Sequence, residues 1–505
     1  MASPTPRRGG RLLDALVAVV LLGLAAALRA RPLAPHSLWI DDAWVSLLWK
    51  VHSVEDVRRI SVASPGFVVL LKAWFSVVHF SSLRAQLPAF VCGILGPPAV
   101  YLAARAWRLG RPAAVLAAGV ILTSPMHIRY SSRVKAFAVE ALAATIVLVI
   151  ADRLLSQPQQ RARWYAFGGA AVLATVLSAP LGIVVVPGFV AGILAARRAG
   201  TVPRAAVQTT TLYACFGFAW YLLAIRTAID SNLVAYWKRY YISHAGVGDV
   251  FRSLWHDYSR LARGFTPLPA ALTVLALAAC AAFAIRTRPD RAVLLFGPLV
   301  LATALAALER NPLGGGRTDI YLYADLALAL AFGADALLSR INLGIAGVAA
   351  VGLVVLLSII TLPLPTYPKE DLRSMLAIVD AHASRHDEIL LYPKARFATA
   401  LYSDWPFHLR GPVPGTSVTT PFDVMIDRDD VVVPADTDPV RFTNSVATVA
   451  ARSARIWYVG SHADVRGWRR GEDALRRAGY VQKLRRGFPP HYWVGLWVRA
   501  TPGSS

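Results

Sequence analysis

The sequence predicts a polytopic α-helical membrane protein that carries a soluble α/β domain at its C-terminal end. Three observations predict it. Of the 505 residues 56% are apolar and 16% charged, with a mean hydropathy of +0.48, a balance found where most of the surface meets lipid. Apolar runs of about 17–22 residues recur, each long enough to cross a hydrocarbon core of roughly 30 Å. From about residue 363 the apolar stretches become short and alternate with charged ones, as in a water-exposed fold.

The basic clusters order the spans. Arg7, Arg8 and Arg11 precede an apolar run over 12–30, and Lys/Arg excess marks the cytoplasmic side. A basic start before an apolar run can also be a signal peptide, but this run is long and lacks a clean small-x-small site. It reads as an uncleaved first span with its N-terminus inside. Residues 31–83 then form a first outer loop. Its apolar stretch GFVVLLKAWFSVV (66–78) is not counted as a span, because that would put ARAWRLGRP (104–112) outside. It is expected to re-enter or lie on the membrane, with Lys72 snorkelling. Further spans fall at 84–104, 111–126, 135–151, 164–179, 181–196, 205–226, 268–286, 291–308, 320–338 and 342–361. The loops RAWRLGR, DRLLSQPQQRARW, RRAGTVPR, RTRPDR and SRIN then all face inside. The expectation is about eleven spans, N-terminus in and C-terminus out. It divides the chain into a membrane domain (1–362) and an extracytoplasmic domain (363–505).

In the second domain TLPLPTYPKED is a proline-rich exit. EDLRSMLAIVDAHA has helical spacing, EILLY reads as a strand, ATVAARSA as a helix and RIWYV as a strand. RGEDALRRAGY is a helix ending near Gly479, and HYWVGLWVRA a closing strand. This alternation predicts a small α/β fold. No G-x-G-x-x-G, P-loop or internal repeat is present. The net charge of +23 sits in short clusters between spans and in the C-terminal domain, not in a nucleic-acid-binding stripe, so no nucleic-acid partner is expected. Cys92, Cys215 and Cys280 all lie inside apolar runs, which gives neither a disulfide framework nor a zinc pattern.

With this topology the polar residues that are costly near lipid gather on the outer side. Asp41 and Asp42 in LWIDDAWVSL come first. Neighbours on a helix point about 100° apart, so one is expected to face a cavity and the other to orient it or bind something different; a solvated helix N-terminus is the plain alternative. The tryptophans beside them read as interfacial anchors. SPMHIRYSSRVKAFAVEAL (124–142) follows, with Arg129, Tyr130, Arg133 and Lys135 ahead of Glu140 inside the next apolar run. A carboxylate within a span costs several kcal/mol unless paired. Arg133, Phe137 and Glu140 have the spacing of one helical face, and a Glu140 pair with Arg133 or Arg129 is the structural alternative. ERNPLGGGRTDIYLYADL (309–326) offers a glycine turn with Arg317, either a phosphate cradle or a plain tight turn. YWKRYYISHAG (236–246) is an aromatic stretch fit for an interfacial belt or for sugar rings. Together these describe a base and a site for an anionic, lipid-linked substrate.

These segments resemble the multispan glycosyltransferases of the GT-C class. The likeness is to glycosyltransferase family 39, with its protein O-mannosyltransferases and lipid A aminoarabinose transferases. WIDDAWVSL matches the family's acidic pair, VASPGFVVLLKAW its A-P-P-G-F-like segment, SLRAQLPAF an entry to the next span, and GGRTDIYLY a later turn. The resemblance implies inverting transfer from a polyprenyl-phosphate sugar to an envelope glycan, lipid or protein on the outer face. It implies Asp41 as general base, Asp42 in the family's glutamate position, Lys135 and Arg317 on the donor phosphate, and Glu140 as the acidic residue below the lysine. Arg129, Arg133 and Tyr130 join the substrate-binding set. Arg133 stands where relatives carry Glu, and Phe137 where they carry Tyr. No cofactor is assigned for certain, and a divalent cation is the one candidate. The bias toward Ala, Val and Arg points to a high-GC bacterium and its inner membrane. The alternatives are a lipid-linked-sugar flippase, which should show inverted repeats and mid-membrane polar breaks, and a non-catalytic lipid-sugar-binding scaffold.

Overall fold

Apolar runs punctuated by Pro, Gly and paired Arg fold as a succession of helices. The computed structural model describes residues 8–33, 37–60, 64–226, 236–341, 352, 370–411, 422–434, 438–463, 465–489 and 491–500. The helices up to Ile341 are α1 Arg8–Ala30, α2 Ile40–Ser46, α3 Val54–Ile60, α4 Pro65–Val77, α5 Ser82–Ala106, α6 Arg111–Thr123, α7 Pro125–Tyr130 and α8 Phe137–Ser156. They continue as α9 Arg161–Leu177, α10 Leu181–Arg198, α11 Arg204–Trp220, α12 Val247–Phe265, α13 Ala270–Thr287, α14 Pro289–Ala307 and α15 Tyr323–Ile341. Each predicted span from 12–30 to 320–338 falls on one of these helices. The last, 342–361, and the proline-rich exit lie outside the described residues, Gly352, Glu370 and Asp371 apart. Among the described residues six segments are long and apolar enough to cross a membrane: Gly10–Ala30, Ser82–Ala106, Leu181–Arg198, Ala270–Thr287, Pro289–Ala307 and Arg317–Leu338.

The basic loops meet at one end of the bundle. There Asp14 pairs with Arg111 (2.9 Å) and Arg105 (3.4 Å), Asp152 with Arg291 (2.7 Å), and Asp290 with Arg198 (3.1 Å) and Arg288 (3.0 Å). The stretch 66–78 is α4, thirteen residues and so about 20 Å long at 1.5 Å per residue, too short to span. Lys72 does not snorkel. Its Nζ donates to the carbonyls of Leu48 (2.7 Å) and Val51 (2.6 Å) and so caps the 3₁₀ turn Leu47–Trp49 that extends α2.

The C-terminal domain runs α16 Leu372–His382, β1 Glu388–Leu391, α17 Arg396–Tyr402, β2 Phe407–Arg410, β3 Asp423–Ile426, β4 Val431–Val432, α18 Pro439–Arg452, β5 Arg455–Ser461, α19 Val465–Arg477, β6 Tyr480–Phe488 and β7 Tyr492–Arg499. Five strands form a sheet in the order β4-β1-β5-β7-β6, parallel across β4, β1 and β5, and antiparallel at β7 and β6. The three predicted strands are β1, β5 and β7 at its centre. Edge strand β6 escapes the pattern because Lys483, Arg485 and Arg486 occupy its exposed positions, the usual protection of an open edge.

This domain does not stand apart from the first long loop. Leu38, Val45, Leu48 and Phe67 share one core with Phe397, Leu401, Phe422 and Trp457. Trp44 meets Phe422 edge-on at 5.7 Å. The Tyr402 hydroxyl accepts from the Leu38 amide (2.7 Å) and bonds the Ser82 hydroxyl (2.9 Å). The domain therefore roofs α2.

Candidate functional site

The first turn of α2 carries Asp41 and Asp42, with Trp39 extended before it. Their divergence on the helix gives them different surroundings. Asp42 turns inward and is 2% exposed. Its Oδ2 accepts from Arg133 Nη1 at 2.6 Å and its Oδ1 from the Val134 amide at 3.0 Å. Burial raises its pKa, against the opposing pull of Arg133 and Lys135. Asp41 turns into a recess: protein surrounds it, yet 35% of its side chain stays open. Its Oδ2 accepts from Arg317 Nη1 at 2.6 Å. Burial pushes its pKa up, but Lys135 and Arg317 outweigh that and hold it at about 2.

Arg133 and Lys135 come from a run of tight turns between α7 and α8, where the Lys135 amide donates to the Arg133 carbonyl (2.8 Å). Helix α8 begins only at Phe137, so Arg133 does not share a helical face with Glu140. Arg133 pairs with Asp42 and lies 5.5 Å from the Trp39 ring centre. Lys135 Nζ stands 3.7 Å above the Trp44 ring, a cation–π geometry. Among the described residues it makes no hydrogen bond or ion pair. Burial lowers its pKa to about 8, even with Asp41 and Asp42 near.

Arg317 is aimed by the glycine turn before it. Gly314 and Gly316 have φ of +72° and +76°, a region L side chains avoid. A Cβ on Gly314 would stand 2.7 Å from the Asp257 Cα. These glycines thus build a tight turn against α12, the plainer of the two readings. The Arg317 guanidinium lies over the Trp237 ring at 5.1 Å, and Tyr130 and Tyr236 are close enough to act on its charge. Two carboxylates thus face the three cations Arg133, Lys135 and Arg317, which leaves one positive charge over.

The other sequence candidates separate from this cluster. Arg129 touches the ring of its neighbour Tyr130 at 5.9 Å, and no contact among the described residues joins it to Asp41 or Lys135. Glu140 is buried and pairs with neither Arg133 nor Arg129. It accepts from Ser178 Oγ (2.5 Å) and Ser64 Oγ (3.4 Å), where the first turn of α8 meets the ends of α4 and α9. The tryptophans are not lipid anchors: Trp39 abuts the His462 ring at 4.1 Å, and Trp44 underlies Lys135. Sequence reasoning missed Trp44 and Trp237 as platforms for the two cations. The i, i+3 spacing of Asp41 and Trp44 is a signal that could have found the first. Among the described residues no group of three or more His, Cys, Asp or Glu could hold a metal ion.

No family model matches the chain, and no curated protein does. Among solved structures it is similar to the Archaeoglobus fulgidus oligosaccharyltransferase in complex with zinc and sulfate. The identity is 13% over 88% of this chain and 68% of that one, with a TM-score of 0.48. It is also similar to ArnT from Cupriavidus metallidurans, both bound to undecaprenyl phosphate (TM-score 0.47) and in the apo state (0.48). In each case the identity is 16% over 97% of this chain and 98% of that one.

Proposed function

We propose that the chain is an inverting membrane glycosyltransferase that moves a sugar from a polyprenyl-phosphate donor to an acceptor outside the cytoplasm. The observation that carries the reading is the Asp41 recess, an open carboxylate between the cations Arg317 and Lys135. Donor phosphate binds between those cations, with Arg317 supplying a two-pronged donor and Lys135 a point charge. In doing so it replaces Asp41 as the partner of Arg317. The phosphate charge offsets those of Lys135 and Arg317, which hold Asp41 near 2, so the carboxylate gains basicity only when donor is present.

The acceptor hydroxyl oxygen then bonds to the anomeric carbon from the face opposite the phosphate. The carbon–oxygen bond to phosphate breaks, the hydroxyl proton passes to Asp41, and polyprenyl phosphate leaves against Lys135 and Arg317. One displacement inverts the anomeric centre. Asp42, neutralised by Arg133, acts as a positioning residue that ties α2 to the 131–136 turn. The eleven-span arrangement belongs to this reading, in a bacterial inner membrane with the recess and the C-terminal domain outside. The gathering of Arg105, Arg111, Arg198, Arg288 and Arg291 at the opposite end of the bundle supports that orientation.

The test is binding of polyprenyl-phosphate sugars to purified full-length protein. Lys135→Ala and Arg317→Ala should each weaken binding by about tenfold or more, a loss of roughly 1.4 kcal/mol. Equal affinity in wild type and both variants overturns the assignment.

A further inference from the structure

A second cavity, of about 790 Å³, opens where the first long loop meets the C-terminal domain, within the usual size of a small-molecule site. One wall is Trp49 and Phe75, the other Asp404 and Phe407, with His52 at the rim. Its aromatic wall is a packed cluster. Trp49 meets Phe75 edge-on and stacks with Phe80, each at 6.3 Å. The two walls are tied together by Lys50, whose Nζ donates to the Ala400 carbonyl (3.0 Å) and to that of Ser403.

The polar groups select the occupant. Lys50 spends two of its donors on those carbonyls, as Lys72 does on Leu48 and Val51, so neither is set out for an anion. The groups left open are a carboxylate, which accepts, and an imidazole, which accepts at one ring nitrogen and donates at the other. Among the described residues the side chains of Asp404 and His52 make no hydrogen bond to the protein. Flat aromatic faces beside a free carboxylate and imidazole suit a polyol, whose C–H faces stack while its hydroxyls donate. The cavity also has a fixed relation to Asp41. Trp49 follows it by eight residues on the continuous helix of α2 and the Leu47–Trp49 turn, about 12 Å further on at 1.5 Å per residue. A short oligosaccharide bridges that distance, and a single sugar does not.

We propose that this cavity is a distal acceptor subsite for a saccharide chain, so that the acceptor is a glycan rather than a protein or lipid. This rests on the glycosyl-transfer reading for its role, and on the cavity alone for its ligand. The test is saturation-transfer NMR and titration calorimetry on full-length protein in nanodiscs. The probes are linear gluco-, manno- and arabino-oligosaccharides of increasing length. At least one series should bind, more tightly with length, and about tenfold more weakly in Trp49→Ala and in the exposed-site variant Asp404→Ala. Absence of binding by every series, or equal binding in wild type and Asp404→Ala, overturns the subsite. Polyprenyl-phosphate sugar is titrated into the same preparation. Saccharide binding without donor binding would refute the transferase reading while upholding the cavity as a saccharide site. Donor binding without saccharide binding would do the reverse.

Discussion

Replacing Arg133 by methionine tests what holds the carboxylate-bearing helix in place. Both side chains of the Arg133–Asp42 pair are buried, at 5% and 3% exposure, and the guanidinium donates at 2.6 Å. Methionine keeps much of the volume but removes the charge and the donors. Asp42 then retains the Val134 amide at 3.0 Å. Stranding one member of a buried pair costs roughly 3–5 kcal/mol, and the surviving amide bond argues for the lower end, about 3 kcal/mol. For a large cooperative unit each kcal/mol moves Tm by roughly 2–4 °C, so the shift should be about 6–12 °C. The assay is thermal unfolding in detergent followed by tryptophan fluorescence. Adding Asp42→Asn, which is neutral and still accepts from Val134, should recover most of the loss. Burial raises the pKa of Asp42 in the folded protein, and losing Arg133 raises it further. A group with a raised folded pKa stabilises below its unfolded value and less as pH rises, so the deficit of Arg133→Met should shrink on acidification. An unchanged Tm in Arg133→Met, or a double variant no better than the single, would refute the reasoning.

Donor affinity in the wild type should fall as pH rises through about 8, where Lys135 loses its proton. Lys135→Arg should abolish that limb, because arginine stays charged, and a flat wild-type profile would remove Lys135 from the phosphate site. The same depressed pKa means that folding stability contributed by Lys135 rises between about 8 and the ordinary lysine value. Gly314→Ala should cost about 1–2 kcal/mol of backbone strain and, through its collision with Asp257, displace Arg317 and weaken donor binding. Gly200→Ala is the control, since φ there is +109° with open space around it, and its donor binding should stay at the wild-type level. Glu140→Ala should lower Tm through about 1–3 kcal/mol of lost acceptor capacity for Ser178 and Ser64. A donor-binding loss as large as that of Lys135→Ala would return Glu140 to the site.

What sequence reasoning reached, it reached through spacing and charge. Basic loops separated the two ends of the bundle, and short continuous apolar runs found β1, β5 and β7, because both signals are local. It brought Asp41, Asp42, Arg133, Lys135 and Arg317 into one cluster but did not pair them. Whether Arg133 answers Asp42 or Glu140 depends on where α8 begins, and Phe137 opens the helix after turns that leave no periodic trace. The serines that hold Glu140 lie 76 and 38 residues away, a closeness only the fold creates. The GGGR turn was legible as a turn, whereas its target needed the packing of Gly314 on Asp257. Strand β6 was lost because its exposed positions are charged and imitate loop, and the β2–β3 ribbon because its strands are only four residues each.

The central claim is that Asp41 takes the acceptor proton while Lys135 and Arg317 hold the leaving phosphate. Its most direct test is single-turnover transfer from a polyprenyl-phosphate sugar with the donor bound to saturation, comparing wild type with Asp41→Asn. Asparagine keeps the shape and accepts from Arg317 but cannot take a proton at this pH. The account predicts donor binding close to wild type and a transfer rate lower by a factor of about 10²–10⁴. Transfer at the wild-type rate with Asn at position 41 would contradict it.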